Sequence, residues 1–408
     1  MRLVVYFATL AAVATPSIVG AQSLPLTESE ALARVSPSNP RVRAIRSSID
    51  VARADVLTAN RWPNPRVTFD REAVAGVTEN MTMVSQALPI TGRRGFEVQS
   101  AMALVDAASI RADDAVRRRR ADLRQAFGQL VSAQVHEREL GAARDRLQGL
   151  ADILSKREAA GDTAGFDRLR ADREVFDLDA DRAAVSTDRA RAQAALAEFF
   201  DDVVDPSTIV AVDVHTARAM LPPLSALVAQ AESTRSELVA LRKELEAARL
   251  SGRAADRRRV PEPEVAAGTK SSTAAGGDIG TVITLHATVP LFDRGRPERA
   301  LAEARASQAS ARAEVYRAAL RMEITALRAA VVERRDTAER YRAAAVNGAG
   351  QIERIAQISY DAGERSILEL LDAYRTSASA RVRQAALDAA VKQAEIELAF
   401  VSGWEIPQ

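Results

Sequence analysis

Glu369 and Asp372 stand three residues apart, a spacing that puts both carboxylates on one face of a helix. Such a face can draw cations or can simply be solvated. Asp167 follows Gly161 by six residues, as Glu369 follows Gly363, so the same placement occurs twice in the chain. Tyr360 and Arg365 flank the second glycine. An arginine meeting a carboxylate there can form a bidentate pair of fixed geometry or an exposed pair that contributes little. None of this is covalent chemistry. The three histidines, His136, His215 and His286, are scattered and there is no cysteine, so no metal centre, thiolate site or disulfide is indicated. No nucleophile-and-base set and no Gly-x-x-x-x-Gly-Lys phosphate loop appears, which leaves an enzyme and a self-powered transporter without support and calls for no cofactor. Lys+Arg at 56 against Asp+Glu at 55 gives no basic excess to bind nucleic acid.

Those residues need long rods to hold them. Gly161 and Gly363 each stand where a helical run stops, the place a glycine takes just past a helix end. The runs cover about 94–160 and about 297–362, and neither has a proline after its start. Roughly 66 residues at 1.5 Å each makes a rod of about 100 Å, several times the ordinary globular helix of about three turns. Leu147, Leu150, Ile153 and Leu154 recur at helical spacing. A return helix follows each glycine, to about Phe200 and about Val401. Aromatics are only 4%, a composition of narrow apolar seams between helices rather than of a compact core.

The chain also repeats. Arg61-Trp62-Pro63-Asn64-Pro65 matches Arg259-Val260-Pro261-Glu262-Pro263, Leu88-Pro89-Ile90 before Gly92-Arg93 matches Val289-Pro290-Leu291 before Gly295-Arg296, and Ala160-Gly161-Asp162 matches Ala362-Gly363-Glu364. Three landmarks in one order indicate two copies of one unit, over about 22–205 and 206–408. Each copy opens with a helix, Ser38–Arg61 or Pro223–Arg253, which a Pro-x-Pro ends. Two strand-like runs follow, forming a hairpin over about 66–88 and another over about 264–289. In the first, strands 66–74 and 80–88 are separated by a turn over 75–79. In the last strand Ile283, Leu285, Ala287 and Val289 alternate with Thr284, His286 and Thr288, the pattern of a barrel wall with lipid outside and water inside. Met81 and Met83, two apart on a strand, read as lipid-facing rather than as copper ligands. Arg117–Arg120 reads as a solvated or inter-helix face, and Trp62 as an interfacial or core aromatic.

Residues 1–21 have the form of a secretory signal, with Arg2, a short apolar run from Leu3 to Ala14, and small residues before Gln22. Beyond them no apolar run reaches 18 residues, so a membrane span would have to be a β-barrel.

The whole resembles the TolC-type outer-membrane efflux channel family. The residues that carry the likeness are Trp62-Pro63-Asn64-Pro65, Val289-Pro290-Leu291-Phe292-Asp293 and above all Tyr360-Asp361-Ala362-Gly363-Glu364-Arg365-Ser366-Ile367-Leu368-Glu369-Leu370-Leu371-Asp372-Ala373. The resemblance implies a mostly α protein with a transmembrane β-barrel, in which a homotrimer pools four strands per protomer into a barrel of about twelve above a helical tunnel through the periplasm. It implies shorter helices stacked end to end beside the long ones, and a mixed belt made by 201–222 and the C-terminal tail. It also implies outer-membrane lipid around the barrel, and as partners a periplasmic adaptor and an inner-membrane pump, of the RND type. Glu369 and Asp372 then occupy the positions of an acidic ring at the periplasmic mouth, selecting cations. Asp167, Tyr360 and Arg365 occupy those of the links that hold it shut, with Gly161 and Gly363 at the tip turns. The Leu88-Pro89-Ile90-Thr91-Gly92-Arg93-Arg94 segment and the short chain resemble the branch that serves heavy-metal cation pumps. Drug or small-molecule efflux and type I protein export stay open as cargoes, and a periplasmic adaptor or a structural coiled-coil protein as rival classes.

Overall fold

A computed structural model describes residues 23–161, 165–201, 204–214 and 219–405. The secretory signal expected at 1–21 lies outside the described residues, as do Asp162 and His215. The chain opens with a short strand β1 (Leu24–Leu26) and helices α1 (Glu28–Ala33) and α2 (Pro40–Ala59). A hairpin follows, β2 (Arg66–Val74) and β3 (Val77–Ala87), then α3 (Arg93–Ala159) and the return helix α4 (Gly165–Ala197). After β4 (Ile209–Ala211) the order recurs: α5 (Leu224–Thr234), α6 (Ser236–Arg257), β5 (Pro263–Ser272), β6 (Asp278–Ala287), α7 (Arg296–Tyr341), α8 (Asn347–Asp361) and α9 (Ile367–Ser402).

The helices form one wall. α3 packs along α2 and α4 on one side and along α6 and α9 on the other, and α7 packs on α6 and α9. The shorter helices meet end to end. Asn39 caps α2 by accepting from Arg41 N at 2.9 Å, and its amide donates to the Phe199 carbonyl beyond α4 at 3.2 Å. The α6/α9 junction is made by Arg235, whose guanidinium donates to the Phe400 carbonyl at 3.0 Å and to the Tyr316 hydroxyl at 3.0 Å. Arg235 is extended (φ −60°, ψ 122°) and splits the helix expected over 223–253 into α5 and α6. Its main chain gives up helical continuity so that its side chain can tie three elements together.

Three apolar clusters hold the wall. One near the tips contains Leu147, Leu154, Val175 and Leu370, one around the β1–β4 pair contains Phe127, Leu130, Leu196 and Ile209, and one beside α5 contains Leu227, Leu320, Ile324 and Leu398. Each such fully buried side chain contributes about 1.5–3 kcal/mol relative to exposure. β1 and β4 pair in parallel, joining segments far apart in sequence. The basic run at 117–120 faces other helices: Arg118 grips Glu397 with two bonds of 2.7 and 2.8 Å, and Arg119 lies 4.5 Å from the Phe199 ring centre.

The four long strands form one antiparallel sheet in the order β2-β3-β5-β6. The first hairpin turns on two residues, Ala75 (φ 50°) and Gly76 (φ 81°), both left-handed as a tight hairpin turn requires. That turn corrects the placement of Met81 and Met83. A five-residue turn would set Met83 opposite Arg71 and both methionines on the face of Phe69; the two-residue turn shifts the register by an odd number of positions, and such a slip moves every side chain to the other face. Val67 pairs with Val84, and Asp70 with Met81. Val67, Phe69, Val84, Ile283 and Leu285 therefore share the apolar face, while Met81 and Met83 lie with Asp70, Lys270 and His286 on the polar one. Gly268 opposite Met83 is needed there, because a Cβ would come 2.7 Å from the Met83 sulfur and 1.9 Å from the Thr82 carbonyl. Among the described residues no helix is long and apolar enough to cross a membrane.

The second long helix is not the unbroken rod expected over 297–362. Between α7 and α8 one turn, Arg342–Val346, is a π-helix. An extra residue is accommodated there by widening the helix, a device that is rare and usually functional.

Candidate gate at the helix tips

Both tips end on left-handed glycines, Gly161 (φ 84°) and Gly363 (φ 73°). At the second tip Gly363 N donates to the Tyr360 carbonyl at 2.9 Å and Glu364 N to the Ser359 carbonyl at 2.8 Å, the paired closure that satisfies the last carbonyls of a helix. Ser366 then starts α9 in extended conformation.

The first turns of α9 have two distinct faces. Ile367, Leu370, Leu371, Ala373 and Tyr374 are buried in the cluster near the tips. Glu369 and Asp372 are exposed, on the same side as Arg365 and Thr376. Arg365, in the tip turn just before α9, contacts Glu369 in the first turn of that helix, an exposed pair. Half of the acidic pair is thereby locally compensated. Asp372 has no ion-pair partner among the described residues, so the face carries net negative charge. Asp167 is half-buried in the first turn of α4, and Tyr360 is half-buried on α8. Burial is the main cause that pushes the Tyr360 phenol above its ordinary value; nearby Arg157 opposes this, and Asp167 and Asp361 add to it. Among the described residues Tyr360 and Asp167 share no hydrogen bond, and Arg365 pairs with Glu369.

A further polar knot at this end joins residues far apart in the sequence. Glu353 on α8 accepts from Arg146 of α3 at 2.8 Å, contacts the Ser377 hydroxyl of α9, and lies 3.5 Å from Arg381. Tyr374 bonds to Gln357 one turn below, and Arg375 reaches Glu174 on α4 at 3.0 Å. Glu353 is 15% exposed, against 47% for Glu369. Its partner Arg146 is 207 residues away in sequence, so no local pattern could reveal it. The one available signal was Asn347-Gly348-Ala349-Gly350 within a helical run, where paired glycines mark a weak point. At the other end Trp62 is exposed, with the Arg94 guanidinium 5.3 Å from its ring centre.

The tip thus combines an exposed acidic face with a mostly buried ion-paired knot on α8. Residues 227–403 match the family model described as outer membrane efflux protein. The cobalt-zinc-cadmium resistance protein CzcC of Cupriavidus metallidurans is 25% identical over 366 residues, covering 88% of this chain and 85% of the relative. The CmeC outer membrane channel of Campylobacter jejuni superposes with a TM-score of 0.73 at 14% identity, over 99% of this chain and 94% of that one. A membrane protein from Pseudomonas aeruginosa superposes with a TM-score of 0.73 at 20% identity, over 92% and 93%.

Proposed function

We propose that the chain is a member of the outer membrane efflux protein family and that three copies of it close into the exit duct of a tripartite efflux system for heavy-metal cations. On that reading it is an outer-membrane efflux channel whose helices reach into the periplasm, supported by the family-model match over 227–403, the CzcC relative and the fold shared with CmeC. The observation that supports closure is that the wall has two unpartnered edges. The α2/α4 edge exposes Val51, Leu57, Phe166, Leu169 and Phe176, and the α7/α8 edge exposes Val315, Met322, Ile352, Ile355 and Ile358. Each of these edges packs on one side only. The sheet is likewise open at β2 and β6, and open strand edges in lipid must be paired. One edge laid on the other edge of the next copy buries both, and repetition closes a ring.

A duct of this kind does no covalent chemistry and takes its energy from an inner-membrane pump through a periplasmic adaptor. The heavy-metal reading is supported by the name of the Cupriavidus metallidurans relative and by the acidic face at Glu369 and Asp372, which concentrates cations at the mouth. A deletion strain tested against a panel of divalent transition metals and antibiotics should become sensitive to metals. Sensitivity to antibiotics with unchanged metal tolerance would move the cargo to drugs. A mature chain that stays monomeric in buffer without detergent would end the duct reading.

A further inference from the structure

We infer that Glu353 is the positioning residue that keeps the periplasmic mouth shut, its carboxylate clasping α8 to α3 and α9 directly below the π turn that serves as pivot. This rests on the duct reading. α8 packs along α9 and the π turn. Within its own protomer it buries only Ala349 and Ala356, so the packing inside one chain holds it weakly. What ties it to the first half of the molecule is the ion pair from Glu353 to Arg146, 2.8 Å long and mostly buried. The same carboxylate takes the Ser377 hydroxyl, so a single acid joins three helices. A tie made of one polar side chain can be released without unpacking a core, which is what a gate needs.

Directly above this clasp the helix is built to bend. The π turn spans Arg342–Val346, and Gly348 and Gly350 follow within one turn. An open groove of about 510 Å³ lies between Ala344, Ala345 and Gly348 on one side and Thr376 and Ser379 of α9 on the other. The helix is pinned again at the upper end of the π turn, by Arg342 to Asp388 with two bonds of 2.7 and 2.8 Å, and above it by Arg335 to Glu395 at 2.6 Å. Fixed above, hinged at the π turn and clasped below, α8 with the tip turn after it is a lever whose catch is Glu353. Within the protomer Arg365 of the tip turn is engaged with Glu369.

The test is single-channel recording of the full-length trimer in planar bilayers. Glu353→Gln keeps the shape and removes the charge. It should raise the open probability roughly tenfold, the size of change carried by the loss of a charge-assisted contact in each protomer, with trimer yield and unfolding midpoint unchanged. Reversing the pair, Arg146→Glu with Glu353→Arg, should restore the low open probability while each single reversal stays open, a rescue that a merely structural role would not show. If the Glu353→Gln trimer does not assemble, Arg146→Gln removes the same tie from the α3 side and must raise the open probability alike. A parent that conducts normally beside an unaltered Glu353→Gln, or a reversed pair that stays as open as its singles, overturns this inference alone. A parent that forms no channel at all overturns the duct reading, and this inference with it.

Discussion

The two halves of the chain are built from the same parts, yet one is a scaffold and the other is hinged. Ala75 and Ala275 share φ 50°, Gly92 and Gly295 precede the long helices at φ 76° and 73°, and Gly161 and Gly363 end them at φ 84° and 73°. But α3 runs 67 residues unbroken, whereas its counterpart is 46 residues of α7, a π turn and 15 residues of α8. Glycine content does not explain the difference, since α3 contains Gly128, Gly141 and Gly149 and remains one uninterrupted α-helix. Position in the wall does. α3 lies between two layers of partners and buries Leu123, Phe127, Leu130, Leu147, Leu150 and Leu154. α7 and α8 form an edge, supported on one side only. Local weakness becomes a hinge only where tertiary packing leaves it free.

The largest effects should come from the shared core. Leu147→Ala in α3 and Leu370→Ala in α9 empty fully buried sites in one cluster, and each should cost about 2–5 kcal/mol, measured as a lower unfolding midpoint in detergent. A Leu147→Ala loss far below that of Leu370→Ala would break the view that α3 is the scaffold. Next in size is a change that makes the hinged half resemble the rigid one. Gly348→Ala with Gly350→Ala should stabilise by about 1 kcal/mol each through helix propensity, because an added Cβ at either meets nothing within 4 Å. Gly141→Ala in α3 also meets nothing and should gain as much. Only the α8 pair should lower channel opening. Equal effects of both changes on opening would mean that the π turn is not a pivot.

Much of this contrast was legible in the sequence, and what was not has definite causes. Long proline-free runs and the glycines at 161 and 363 declare rods and tips, because both signals are local. The Met81 and Met83 face depended on whether the first turn has two residues or five, a difference that composition does not set and that inverts the strand. The break at Arg235 and the clasp at Glu353 follow from partners 165 and 207 residues away. The parallel β1–β4 pair has the same origin, with three residues on each side and no hydrophobic alternation long enough to read. At the gate, the residue types were visible at Glu369, Asp372, Tyr360 and Asp167. The pairing of Arg365 with Glu369 is legible as an i, i+4 spacing, while a link between tips depends on contacts that spacing does not set.

That pairing sets the smallest effect. An exposed i, i+4 pair is worth about 0.3–0.5 kcal/mol, so Arg365→Ser should leave the unfolding midpoint nearly unchanged. Its electrostatic consequence is larger than its stability. With Arg365 present, the face formed by Arg365, Glu369 and Asp372 carries one net negative charge per protomer; without it, two. Cation selectivity at the mouth should therefore rise in Arg365→Ser and fall in Glu369→Ala with Asp372→Ala, read as opposite shifts of the reversal potential under a salt gradient. Both shifts should shrink at high ionic strength, since exposed charges are screened over about 3 Å at 1 M salt. Open probability should follow Glu353, not Arg365. If Arg365→Ser instead opens the channel as widely as Glu353→Gln and leaves the reversal potential alone, the catch lies at the tip and the two halves are held together there.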